Sequence, residues 1–141
     1  VVFYDPQVDV AVLYVPGLNL SPLRFASQAR PGDNAVVAGF PLDAHDLHTV
    51  PARIGGIQNA QGPNIYQTST VTRQIYEIRA VVESGNSGGP LLSPEGTVDG
   101  MVFAAAVGVT DTGFALTAAQ VAADAQAGEQ ATTGVSTMGC D

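Results

Sequence analysis

The segment Gly85-Asn86-Ser87-Gly88-Gly89-Pro90 sets a single serine among glycines, between one short apolar run and another that starts at Leu91. A serine hydroxyl is a poor nucleophile until a base takes its proton. When it attacks a carbonyl, the oxygen that turns negative needs donors already in place, each worth about 2.7–4 kcal/mol. A tight turn can aim the backbone N–H groups of Gly85 and Ser87 at one point. Glycine at 85 permits the backbone angles this demands, and Gly88 and Gly89 let neighbouring backbone come close. The chemistry predicted is peptide-bond hydrolysis through an acyl-enzyme at Ser87, with Gly85 and Ser87 forming the oxyanion hole.

The base is harder to find. The chain has two histidines, His45 and His48, both in the polar stretch Asp43-Ala44-His45-Asp46-Leu47-His48, which reads as an exposed loop. Histidine and aspartate clusters can ligate zinc. The spacing here gives no closed ligand set, so no metal and no other cofactor is expected.

The six-residue string resembles the nucleophile motif of the chymotrypsin-like (trypsin-like) serine proteases, and Asn after the first glycine is similar to their bacterial HtrA-type branch. Asp5-Pro6-Gln7-Val8-Asp9-Val10-Ala11-Val12-Leu13 resembles the family strand whose aspartate orients the catalytic histidine. The resemblance implies that Asp9 has this role, with Asp5 the competing choice. Ala38-Gly39-Phe40-Pro41-Leu42 resembles the opening strand of the second barrel of that fold. Val98-Asp99-Gly100-Met101-Val102-Phe103 resembles the strand that pairs with substrate backbone, and Gly113-Phe114-Ala115-Leu116 the strand leading into the C-terminal helix. Within the HtrA-type branch, the strand phrases and the near-terminal cysteine are similar to the membrane-anchored periplasmic acid-resistance proteases of actinobacteria.

Family order is His, then Asp, then Ser, so the resemblance implies a histidine upstream of Val1. The chain is then expected to be a fragment, inactive alone, whose partner is the missing N-terminal barrel. A non-catalytic, protease-like module that binds peptides or partners is the alternative. The resemblance also places the pocket for the side chain before the scissile bond at Val81, Val82, Phe103, Ala104 and Ala105, with Glu83 at the rim. With no carboxylate at its base, the expected preference is apolar.

The elements that must position these residues are mostly strands. Val8 to Val15, Ala35 to Phe40, Thr49 to Ile57, Leu91-Leu92, Val98 to Val109 and Gly113 to Leu116 are apolar or alternating runs, punctuated by Gly and Pro turns. Ile65 to Val82 reads as two strands of a hairpin and Gln58 to Asn64 as a polar loop, while Pro51 and the Gly55-Gly56 pair signal that Thr49 to Ile57 bends or lies at an edge. Thr117 caps an Ala-rich helix that stops at Gly128. The expected fold is all-β: the second barrel of a chymotrypsin-like double β-barrel plus the last strands of the first, with one short C-terminal helix. Residues 1–29 are assigned to the incomplete first barrel, 30–128 to the second, and 129–141 to a tail.

Bulk properties set the limits. At 141 residues, 45% hydrophobic and 13% charged, the chain can bury a core and is not disordered. Five arginines against 13 acidic residues give a net charge of −8. That excludes a nucleic-acid partner, and excludes an anionic membrane surface except through an upstream anchor. No apolar run reaches the length of a membrane span. The chain opens in the strand-like run Val1-Val2-Phe3-Tyr4 without a leader pattern, so preceding residues are expected. The odd cysteine, Cys140, suggests a disulfide partner elsewhere and an exported, periplasmic or extracytoplasmic location. A bridge of that kind typically stabilises by about 2–5 kcal/mol.

Overall fold

Alternation along Ile75-Tyr76-Glu77-Ile78 decides where the core lies. Tyr76 and Ile78 are fully buried on one face of their strand and belong to one apolar cluster; Ile75, on the other face, belongs to a second. A strand with both faces covered has a filled barrel on one side and a separate layer on the other. The structure is a computed structural model and describes residues 1–140.

Six antiparallel strands form the barrel: β3 (Asn34–Gly39), β4 (His48–Pro63), β5 (Thr70–Arg79), β6 (Pro90–Leu92), β7 (Val98–Ala105) and β8 (Thr112–Thr117), closed in the order β3-β4-β5-β8-β7-β6. The closing seam is short: β6 pairs with β3 only at Leu92↔Val36 and Leu91↔Val37. Val37, Ile54, Tyr76, Ile78, Leu91, Val102 and Ala115 fill the interior. Each large apolar side chain buried in this way contributes about 1.5–3 kcal/mol. The Tyr76 hydroxyl, inside the barrel, accepts the Ala29 N–H at 3.0 Å. Residues ahead of β3 also pack here, since Phe25 bridges Val98 and Ala29 lies in the core.

The second layer joins the hairpin β1 (Phe3–Asp5) and β2 (Val10–Val12) to helix α1 (Ala118–Gly128). Val10, Ile75, Leu116 and Val121 form its core against the outer face of the barrel. The helix packs on β1, β2, β7 and β8.

Several elements differ from their sequence reading. Strand β4 does not end near Ile57 but continues through Gln58–Pro63, paired with β5 up to Pro63↔Thr70. This extension pairs only with β5 and is largely exposed, which explains its polar sequence. The turn therefore falls after it: Asn64, 4% exposed, accepts the Thr68 N–H and donates to the hydroxyls of Thr68 and Ser69. Ile65 to Val82 thus holds one strand rather than two. Pro51 pairs with Val36 inside the barrel, but β5 joins β4 only from Arg53, so the missing N–H falls on a locally open side. Thr117 precedes the helix without capping it, because its hydroxyl donates to Gln74 Oε1 at 3.1 Å. Gly128 is the last helical residue, with Glu129 as the C-cap, and is a glycine because a Cβ there would lie 2.7 Å from Val12. The tail has no regular structure, yet Val135 N–H donates to Val1 O and the Tyr66 hydroxyl to Thr137 O.

Candidate active site

The Gly85–Pro90 turn lies in the link from β5 into β6, and its hydrogen bonds alternate. Asn86 N–H donates to Glu83 O at 3.0 Å, Gly88 N–H to Val102 O at 2.8 Å, and Gly89 N–H to Asn86 O at 3.0 Å. Among the described residues, the N–H groups of Gly85 and Ser87 donate to nothing. Two free donors therefore flank a buried residue, Asn86, in a turn whose other amides are engaged. Val102 N–H returns a bond to Gly89 O at 2.9 Å, fixing the turn to β7.

Glycine is required at 85 on two counts. Its φ is +97°, and a Cβ there would stand 2.5 Å from Phe40 O and 2.7 Å from Leu42 N. At 89 the reason is contact alone, since a Cβ would collide with Ala38 O. These approaches bring the turn hard against the end of β3, where Asn86 packs beside Gly39.

Ser87 is exposed, and its hydroxyl makes one long hydrogen bond, 3.4 Å to Phe103 O. No base touches it among the described residues. His45 and His48 are exposed and line a cavity with Asp43, Asp46 and Glu83, next to the turn but not at the serine. His48 lies in β4 rather than in a loop, paired with Gly39.

The two candidate aspartates sit at the two ends of one tight turn. Asp5 Oδ1 accepts Gln7 N–H at 2.7 Å and Val8 N–H at 3.2 Å, so this carboxylate is engaged in building the turn. Asp9 is exposed, adopts φ +72° and gives its N–H to Asp5 O at 2.9 Å. Its carboxylate accepts no hydrogen bond among the described residues. Asp124, on α1, is buried with Oδ2 unpartnered, and burial, reinforced by Asp5, raises its pKa above the usual carboxylate value.

The apolar residues assigned to substrate sit around β7 and the approach to the turn. Val81 is 51% exposed. Val82 is half-buried, packed against the core and pressed onto Gly113, where a Cβ would strike its side chain. Phe103 and Ala104 are half-buried and Ala105 exposed. None of them lines the 320 Å³ cavity beside Ser87, whose walls include Phe40, Leu47, Gly85 and Pro90. The sequence reading assigned Phe40 to a strand and Leu47 to a loop, and overlooked both as neighbours of the serine. The available signal was an aromatic residue just past a buried strand end. Cys140 is exposed and unbridged, and Asp141 lies outside the described residues.

The model of the trypsin-like peptidase domain matches residues 1–101. The chain is 50% identical over 124 residues to the serine protease Rv3671c of Mycobacterium tuberculosis, covering 86% of this chain and 31% of that protein. It is 31% identical over 121 residues to a probable periplasmic serine endoprotease, DegP-like, of Chlamydia pneumoniae, covering 82% of this chain and 24% of the relative. The chain thus spans about a third or less of the length of these relatives. Its fold matches the crystal structure of the M. tuberculosis Rv3671c protease in its active form with TM-score 0.93 at 47% identity, over 99% of this chain and 62% of that one. Against the inactive form the TM-score is 0.77 at 46% identity, over 89% and 64% of the two chains.

Proposed function

The chain belongs to the trypsin-like peptidase family, and from that premise we propose that it carries the nucleophile and oxyanion hole of an HtrA-type serine endopeptidase. The observation that supports this reading best is the pair of unspent donors, Gly85 N–H and Ser87 N–H, on either side of buried Asn86. In this mechanism Ser87 Oγ attacks the scissile carbonyl carbon while a histidine takes its proton. The carbonyl oxygen, now negative, accepts from the two N–H groups. Collapse expels the amine, which takes the proton from the histidine, and water then releases the acyl group by the same route. Asp9 would orient that histidine, since its carboxylate is free while that of Asp5 is committed to its turn.

The histidine is assigned to residues outside these 141, because His45 and His48 are exposed and make no hydrogen bond to Ser87 or Asp9. The chain alone is accordingly read as inactive, with the histidine-bearing first barrel as its partner. A peptide-binding role without catalysis is favoured for the isolated chain by the state of Ser87, whose hydroxyl meets only a backbone carbonyl at 3.4 Å. The substrate side chain before the scissile bond is proposed to be apolar, held by Val81, Val82, Phe103, Ala104 and Ala105. An extracytoplasmic setting, a disulfide from Cys140 to a residue outside the chain, and attachment to a membrane through an upstream anchor complete the reading. Similarity to a probable periplasmic, DegP-like endoprotease supports the first of these.

A fluorophosphonate probe tests the assignment. The chain alone should stay unlabelled, and the same chain supplied with the part of the M. tuberculosis protease domain that it does not cover should label at Ser87. Labelling at another residue, or none in the complemented protein, would overturn it.

A further inference from the structure

At the end of the barrel remote from the serine, a cavity of about 410 Å³ is lined by Asp33, Asn34, Ser93, Glu95, Thr97 and Asp99, among other residues. Asp99 precedes Phe103 by four positions on β7, on the order of 13 Å along the strand. Asn34 and Gly39 are likewise the opposite ends of β3.

The floor of this cavity is unusual. Asp99 is 4% exposed, and its carboxylate, which accepts no hydrogen bond from any described residue, meets solvent only through the cavity. Asp33 Oδ2 takes the Arg30 N–H at 2.8 Å, and Glu95 stands exposed at the rim. Burial, and then the nearby charges of Asp33 and Glu95, raise the Asp99 pKa. A carboxylate partly withdrawn from water among other acids is less favourable in its ionised form, and a cation that enters offsets both effects. Among the described residues no group of three or more His, Cys, Asp or Glu is arranged to hold a metal ion. Acceptors spread around a cavity in this way suit a cation that brings its own directional donors. A guanidinium does so: it is planar, presents a fork that matches a carboxylate, and is more weakly hydrated than an ammonium. The hydroxyls of Ser93 and Thr97, 2.8 Å apart on the wall, and the Asn34 amide offer further acceptors. A net charge of −8 favours the approach of any cation.

We propose that this cavity binds a guanidinium group, with Asp99 as its floor and Asp33 and Glu95 as its rim. The group belongs either to a small guanidine or to an arginine of a peptide.

The test is an NMR titration of the full chain with agmatine and with a capped Gly-Arg-Gly peptide, alongside n-butylamine and calcium chloride. Saturable shifts at Asp33, Asn34, Thr97 and Asp99 are expected with the guanidinium probes. Agmatine binding as well as the peptide identifies a small guanidine as sufficient, and binding of the peptide alone identifies an arginine in a chain. Affinity should rise with pH as Asp99 loses its competing proton. Asp99→Asn should weaken binding by about tenfold or more. Glu95→Gln, at an exposed position that folding does not depend on, should weaken it by about two- to threefold. Equal affinity for butylamine, binding of calcium alone, no saturable shift, or undiminished binding to folded Asp99→Asn overturns the proposal.

Discussion

The backbone N–H of Leu42 donates to the carbonyl of Ser84 at 2.8 Å. Through this bond the segment after β3 clamps the segment that enters the reactive turn, and Gly85 fits between the two only because it lacks a side chain.

Gly85→Ala should therefore act twice. A methyl group would stand 2.5 Å from Phe40 O, on a residue with φ +97°. The expected loss is about 1–3 kcal/mol of stability, read by urea denaturation. Because the clamp must yield, the Gly85 and Ser87 N–H groups should also lose their common aim, and probe labelling of the complemented protein should fall more than stability does.

Ser87→Ala should separate chemistry from folding. The hydroxyl is exposed and makes only the 3.4 Å contact to Phe103 O, so stability should move by no more than about 0.5 kcal/mol. Labelling and peptide hydrolysis by the complemented protein should disappear. A large loss of stability would mean that the hydroxyl holds the turn together.

Asp5 and Asp9 should divide cleanly between structure and catalysis. Asp5→Ala removes an acceptor for two backbone N–H groups and should cost about 1 kcal/mol in thermal or urea unfolding. Asp9→Asn keeps a residue that tolerates φ +72°, so stability should stay within about 0.5 kcal/mol. If Asp9 orients the histidine, kcat in the complemented protein should fall by about 10⁴-fold. The reverse pattern would give the catalytic role to Asp5.

Asp124 should make stability depend on pH in the acid-favouring direction. Burial, then Asp5, raise its pKa above 3.8 in the fold. Between 3.8 and that raised value the folded state binds more protons than the unfolded one, so this group's contribution weakens stability as pH rises through the window. Asp124→Asn should accordingly raise Tm at pH 7 and change it little near pH 3, relative to the parent at each pH. A Tm lowered at pH 7 but little changed near pH 3 would show that the ionised carboxylate is partnered after all.

The parts legible in the sequence were those where one local pattern has one structural solution. Gly85–Pro90 specified a tight turn with an exposed serine, and Val98–Phe103 a strand, because Gly spacing and apolar alternation act over a few residues. Residues 58–63 were misread because an exposed strand paired on one side has the composition of a loop. The hairpin turn moved with them, to Asn64, whose buried amide network no periodicity reveals. Thr117 and Gly128 matched helix signals for the wrong reasons, since Gln74 and Val12, distant in sequence, govern them. Asp99 read only as part of a strand phrase, because what distinguishes it is its place on a cavity wall beside Asp33 and Glu95, residues distant or unpatterned in sequence.

The short seam between β3 and β6 ties the position of Ser87 to folding in one further way. Leu91, fully buried, pairs with Val37 just four residues after Ser87. Sliding β6 by one residue would turn Leu91 out to water and carry the serine about 3.3 Å from its place. The hydrophobic core thus serves as a ruler for the Ser87 hydroxyl. An insertion or deletion between them that misplaces the serine also opens the cylinder, so errors of spacing should surface as unfolded protein rather than as a folded, misaligned site.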